Sequence, residues 1–135
     1  MGHGYIYKCK KCKHEEILHV GVGWICPNPV EVCADIENGN YGKGAKDFYN
    51  KYNDSGLQVE PYTAIYACKC GHVAERLHVY MKVWTEPDTK AFVPRQKCDK
   101  CGRIMKMQET PPDEIDCPEC GGVMSFRVEE TILWD

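Results

Sequence analysis

The residues from Cys98 to Cys120, CDKCGRIMKMQETPPDEIDCPEC, carry the chemistry that the rest of the chain must position. Two Cys-x-x-Cys pairs stand 15 residues apart there, followed by Gly102 in one case and by Gly121-Gly122 in the other. Four sulfurs at this spacing can close around one tetrahedral Zn²⁺, a borderline-soft ion that takes thiolates readily. The glycine after the second cysteine tolerates the positive φ that such a bend often needs. A lone Cys-x-x-Cys would suit a thioredoxin-like redox site as well. Two in succession point to metal.

The same chemistry recurs earlier in the chain. YIYKCKKCKHEEILHVGVGW returns as AIYACKCGHVAERLHVYMKVW, and nine positions match once two one-residue gaps are allowed. Both cysteines and both histidines take part: Cys9, Cys12, His14 and His19 against Cys68, Cys70, His72 and His78. One of the gaps shortens the second copy to Cys68-Lys69-Cys70. CDKCGRIM at 98–105 likewise echoes CPECGGVM at 117–124. These four cysteine knuckles supply eight thiols, enough for two four-thiolate sites and two Zn²⁺ per chain. Iron is the alternative occupant, because four thiolates accept either metal. Loop closure favours sequential pairing, with Cys98, Cys101, Cys117 and Cys120 in one site and Cys9, Cys12, Cys68 and Cys70 in the other. The rival pairing joins Cys68 and Cys70 to Cys98 and Cys101, leaving Cys9 and Cys12 for Cys117 and Cys120. Cys26 and Cys33 lack a glycine knuckle and read as small buried side chains. His14 and His72 read as hydrogen-bonding neighbours of the thiolates, and His19 and His78 as solvent-facing strand residues.

The elements that position these residues are mainly strands. Leu77, Val79, Met81 and Val83 alternate with His78, Tyr80, Lys82 and Trp84, the period of a half-buried strand. Glu86-Pro87-Asp88 turns the chain, and Ala91-Phe92-Val93 starts a return strand. Arg103–Gln108 reads as a strand that Thr110-Pro111-Pro112-Asp113 reverses. Met124, Phe126 and Val128 mark another, and Ile132-Leu133-Trp134 a last edge strand. The insertion from residue 27 to residue 53 differs. Asn28 caps a helix begun by Pro29, with Val30, Cys33 and Ile36 at helical spacing and Gly39 at its stop. Ala45, Phe48, Tyr49 and Tyr52 then form one face of a second helix. Gly42 and Gly44 lack the spacing and the preceding strand of a phosphate loop.

Ten cysteines in 135 residues approach the density of a disulfide scaffold. No apolar signal segment precedes Cys9, so the expected compartment is the cytoplasm, where thiols hold metal. No apolar run is long enough to span a membrane. A formal net charge of −3 gives no overall basic footprint for nucleic acid. Lys8, Lys10, Lys11 and Lys13 nevertheless form a local basic cluster. No triad, H-E-x-x-H, P-loop or dinucleotide fingerprint is present, so the chain is not expected to be an enzyme.

Tyr7-Lys8-Cys9-Lys10-Lys11-Cys12-Lys13-His14-Glu15 resembles the first knuckle of FmdB-type zinc ribbons and of the wider rubredoxin-like group. Cys98-Asp99-Lys100-Cys101-Gly102 and Cys117-Pro118-Glu119-Cys120-Gly121-Gly122 resemble their closing knuckles. Gly21-Val22-Gly23-Trp24 and Trp134-Asp135 are similar to segments of bacterial zinc-ribbon proteins. The expectation is therefore a small, β-rich α+β protein, a single two-zinc unit of antiparallel ribbon hairpins. Its duplicated segments are 5–24 and 64–84, its helical insertion 27–53 and its C-terminal ribbon 92–135. Its metal sites would be structural and support a protein partner. Nucleic-acid binding and rubredoxin-like electron transfer are the alternatives.

Overall fold

The computed structural model describes residues 2–22, 27–86, 88–127 and 132–134, the last three as backbone. Nine strands and two helices occur among them: β1 (Gly2–Cys9), β2 (Glu15–Gly21), α1 (Pro29–Glu37), α2 (Lys43–Tyr52), β3 (Gln58–Ala67), β4 (Val73–Trp84), β5 (Thr89–Phe92), β6 (Lys106–Gln108), β7 (Glu114–Asp116), β8 (Val123–Phe126) and β9 (Ile132–Trp134). The protein is thus small and β-rich, with antiparallel pairing and two helices. Two units divide the chain. One comprises Met1–Gly23, Thr63–Arg76 and Arg95–Asp135, and the other Trp24–Tyr62 and Leu77–Pro94.

In the first unit, β1 and β2 form a hairpin with Tyr5 opposite Leu18 and Lys8 opposite Glu15. The other side of β1 takes β8, with Tyr7 opposite Phe126 and Cys9 opposite Met124. β8 in turn pairs with β7, and β9 with the start of β1. β6 pairs with the end of β3, Ile65 opposite Gln108. One face of this sheet is apolar because side chains alternate along each strand. Tyr7, Cys9, Leu18, Ile65, Ile115, Cys117 and Met124 are buried together there, with Phe126 beside them. Phe126 meets the Tyr5 and Tyr7 rings edge-on, at 5.3 and 5.2 Å between centroids. The buried Tyr7 hydroxyl donates to the Pro112 carbonyl at 2.6 Å. Burial, then the nearby Asp113 carboxylate, raises its pKa, so it stays protonated and remains a donor.

The strand expected over Arg103–Gln108 shortens to Lys106–Gln108, and the hairpin expected with it does not form. β6 and β7 each pair elsewhere, with β3 and β8. Three-residue strands have too few side chains to declare a partner by pattern.

The second unit holds both helices and the hairpin β4–β5, with Met81 opposite Phe92. α1 begins with a capping box: Asn28 Oδ1 accepts from the Glu31 N–H at 2.9 Å, and Glu31 reaches back to the Asn28 N–H. Such a pair satisfies two amides that a helix start otherwise leaves open. Val32, Ile36, Ala45, Val79 and Met81 are the buried core, and Phe48, Tyr49, Leu57 and Phe92 pack on it. The apolar face of α1 is therefore Val32 and Ile36, spaced i, i+4, whereas Val30 is 79% exposed. On β4 the expected alternation holds for Val79, Met81 and Val83, all buried. His78 departs from it, because it too is buried, and its ring lies 4.7 Å from that of Tyr62. Burial lowers its pKa and keeps the imidazole neutral. Both faces of β4 are covered at this level, and an alternation argument sees only one.

Candidate metal centres

Four tight bends carry the eight paired cysteines, and all share one backbone device. The first cysteine of each pair donates its N–H forward across the bend: Cys9 to the His14 carbonyl, Cys68 to His72, Cys98 to Arg103 and Cys117 to Gly122, at 2.7–2.9 Å. Its own carbonyl accepts from the residue after the second cysteine, from Lys13, Gly71, Gly102 and Gly121 respectively. Those four residues all have positive φ, between 63° and 97°. The shortened Cys68-Lys69-Cys70 closes the same loop with one residue fewer. The first cysteine of each pair is buried and the second lies at the surface.

Gly71 and Gly122 also lie close to neighbouring side chains. A Cβ on Gly71 would come within 2.6 Å of Asp116 Oδ2. One on Gly122 would meet Cys120 Sγ at 3.2 Å and Cys9 Sγ at 3.5 Å. Lys13 is the position sequence reasoning missed. It is the only non-glycine with positive φ among the described residues, and its place after Cys12 was the available signal. A left-handed lysine costs about 1–2 kcal/mol, of which glycine's extra freedom when unfolded returns about half. Lys13→Gly is therefore expected to stabilise the metal-loaded protein by about 1 kcal/mol. Thermal melting would show a rise of a few degrees; a fall would contradict the strain at this bend.

The bends converge in two groups of four. Cys9, Cys12, Cys117 and Cys120 form one, and Cys68, Cys70, Cys98 and Cys101 the other, with all four sulfurs of each within 4.8 Å of one another. This overturns the sequential pairing, which joined 98 and 101 to 117 and 120. Strand partners decide the matter. β1 pairs with β8 and so brings the bend after Cys9 to the bend before Met124. β3 pairs with β6 and brings Cys68 to Cys98 and Cys101.

The separations fit a metal and not a disulfide. Cys9–Cys120 is 3.5 Å, Cys12–Cys117 3.6 Å, Cys68–Cys101 3.3 Å and Cys70–Cys98 3.6 Å between sulfurs. A disulfide needs about 2.05 Å. Four sulfurs about 2.3 Å from a central zinc stand about 3.8 Å apart, close to what is seen. Each group can therefore hold one ion, and four sulfurs leave a tetrahedral ion no open position.

Electrostatics favours a cation at each centre. The Cys12 N–H points at Cys9 Sγ from 3.4 Å, and this donor, with a further one from Lys11 and against the opposing effect of burial, draws the Cys9 thiol down to about 6. At Cys98 burial opposes ionisation, but the backbone N–H groups of Cys101 and Lys100 prevail and bring it to about 7. Cys12 goes the other way, to about 12. The N–H of His14 favours its thiolate, but burial, and then Cys120, Cys117 and Cys9 crowding it with sulfur, outweigh that donor. Four thiolates cannot ionise together at such distances without a positive charge among them.

Among the described residues the remaining cysteine and the histidines lie outside both groups. Cys33 is half-buried on α1, and burial, against a hydrogen bond to Tyr49, raises its thiol. Cys26 is outside the described residues. His14 binds Glu16 at 2.8 Å, which holds its pKa above the ordinary histidine range. His19 is half-buried and not solvent-facing as expected: its backbone N–H and its Nδ1 both meet Glu75 Oε2, at 2.6 and 3.0 Å. Among the described residues no helix is long and apolar enough to cross a membrane. No protein-family model, curated protein or solved structure matches the chain.

Proposed function

We propose that this protein is a two-zinc protein of the ribbon type, whose metal sites are structural and support the binding of a protein partner. The observation that carries the reading is the convergence of four cysteine bends into two four-sulfur groups of tetrahedral dimensions. The ligands are Cys9, Cys12, Cys117 and Cys120 at one site and Cys68, Cys70, Cys98 and Cys101 at the other. With four sulfurs filling the coordination sphere, neither ion has a position for substrate, and the protein is not an enzyme in this reading. A reducing, cytoplasmic setting belongs to the proposal, since thiols there bind metal in preference to one another. Exposed Ile17, Ile104 and Val123 on the cysteine-bearing unit offer apolar contacts of the kind a partner covers.

The test is elemental analysis and native mass spectrometry of protein purified under reducing conditions. Two zinc ions per chain are expected. One or none would overturn the two-site reading, and a red protein with iron in place of zinc would replace it with an electron carrier.

A further inference from the structure

The sheet of the cysteine-bearing unit has a second face, opposite its apolar one. Alternation puts Lys8 of β1 on that face, since Tyr7 and Cys9 point into the core, and Lys10 follows just past the strand's end. Register puts Ser125 directly across from Lys8, because Tyr7 pairs with Phe126 and Cys9 with Met124. Arg127, two residues beyond Ser125, falls on the same side. These residues are not merely near in sequence. Lys8, Lys10, Ser125 and Arg127, with Cys9, line one cleft of ≈ 350 Å³.

Three cations and a hydroxyl on a single cleft have a direction that a scattered basic surface lacks. Lys8 and Ser125 stand opposite one another at the centre. Lys10 and Arg127 lie two residues further along the chain, just past the ends of β1 and β8 and on opposite sides of that pair, where long side chains still reach diagonal neighbours. Among the described residues Glu15 approaches Lys8 at 3.8 Å with both side chains about half exposed, a weak pair. Arg127 and Lys10 are exposed. A guanidinium offers two parallel donors to a tetrahedral oxyanion, ammonium groups add point charge, and a serine hydroxyl donates one more bond. The volume exceeds what one such ion fills and lies in the range of small-ligand clefts, so the anion can carry a substituent.

We propose that this cleft is a binding site for a phosphate group, held by Lys8, Lys10, Arg127 and the Ser125 hydroxyl. The inference goes beyond the structural-zinc reading and does not depend on which partner the protein has. The phosphate can belong to a small phosphorylated molecule or to a nucleic-acid backbone, and the two sources separate experimentally.

The experiment is an amide NMR titration of the zinc-loaded full chain with inorganic phosphate at constant ionic strength, with chloride as control. Saturable shifts confined to residues around Lys8, Lys10, Ser125 and Arg127 are expected. The double variant Lys10→Gln, Arg127→Gln should weaken them about tenfold, consistent with two exposed charge contacts of up to about 1 kcal/mol each. Lys46→Gln, on α2, should leave them unchanged. Zinc content and the unperturbed amide spectrum verify that each variant is folded. Shifts that do not saturate, that chloride reproduces, or that survive in the double variant would overturn the proposal. A parallel titration with a single-stranded oligonucleotide identifies the source. Tighter binding than phosphate with a steep salt dependence, lost in the double variant, assigns the site to a nucleic-acid backbone. Binding no tighter than phosphate assigns it to a small molecule.

Discussion

Stripping both metals with a chelator is expected to unfold the cysteine-bearing unit. Of the seven residues buried together at its core, Cys9 and Cys117 are themselves ligand candidates, so metal and core are the same structure. Each bend also holds a residue at positive φ. A structural zinc contributes about 10–16 kcal/mol to folding at neutral pH. A domain has only about 5–15 kcal/mol of net stability. Losing both ions together therefore exceeds what the remaining apolar contacts supply. Far-UV circular dichroism and amide NMR would show collapse of the strand signals on chelation and recovery on adding zinc. An unchanged spectrum and melting temperature in metal-free protein would defeat the structural role. The core of the other unit contains no paired cysteine, so Val79 and Met81 should lose protection later than Tyr7 and Met124.

Acid should act in the same direction as the chelator. Ligand thiols must be deprotonated in the metal-bound state, so the metal-free protein binds more protons and falling pH favours it. Above about 6 Cys9 is already ionised, as is Cys98 above about 7. Below those values the first cysteine competes as well, and apparent affinity falls by up to about four decades per pH unit at each site. Zinc release monitored by a colorimetric chelator between pH 7 and pH 4 measures this. A flat profile would mean that sulfur is not the ligand.

How much of this was legible in the sequence depended on the range of the interaction involved. The eight ligand candidates stood out because their geometry is local: a Cys-x-x-Cys or Cys-x-Cys bend, followed by glycine in three of the four cases, fixes its own shape. The strand over Leu77–Trp84, the second part of the observed Val73–Trp84, was legible too, since alternation needs no knowledge of a partner. So were the Asn28 cap and the Pro29 start. Pairing of the knuckles was not. A doubling of loop length changes closure entropy by only about 0.6 kcal/mol, less than a single ladder hydrogen bond or two contributes. The outcome rested on which strands Lys106–Gln108 and Glu114–Asp116 would join, and such short segments carry no decisive pattern. His78 and Val30 were misread for a related reason. A helical or alternating period shows which residues share a side, but whether one side or both will be covered depends on elements far along the chain.

Pairs of cysteine substitutions should therefore separate the two ways of joining the knuckles, with the largest effect of any change in the molecule. Cys9→Ala with Cys117→Ala removes two ligands from one group and none from the other. One tightly bound zinc should remain. Cys98→Ala with Cys117→Ala takes a ligand from each group, and neither site then keeps four sulfurs. If a site's zinc contributes about 10–16 kcal/mol through four thiolates, each accounts for roughly 3 kcal/mol, more than a hundredfold in affinity. The second variant should thus hold no zinc in a competition with a chelator that the first survives. Sequential joining of neighbouring knuckles predicts the reverse: Cys98 and Cys117 would share an ion, and their loss would spare the other. Substitutions in one group should also be strongly non-additive, because the second removes a ligand from a site already broken, while substitutions in different groups should add. Native mass spectrometry of the two double variants reads the answer as one zinc against none.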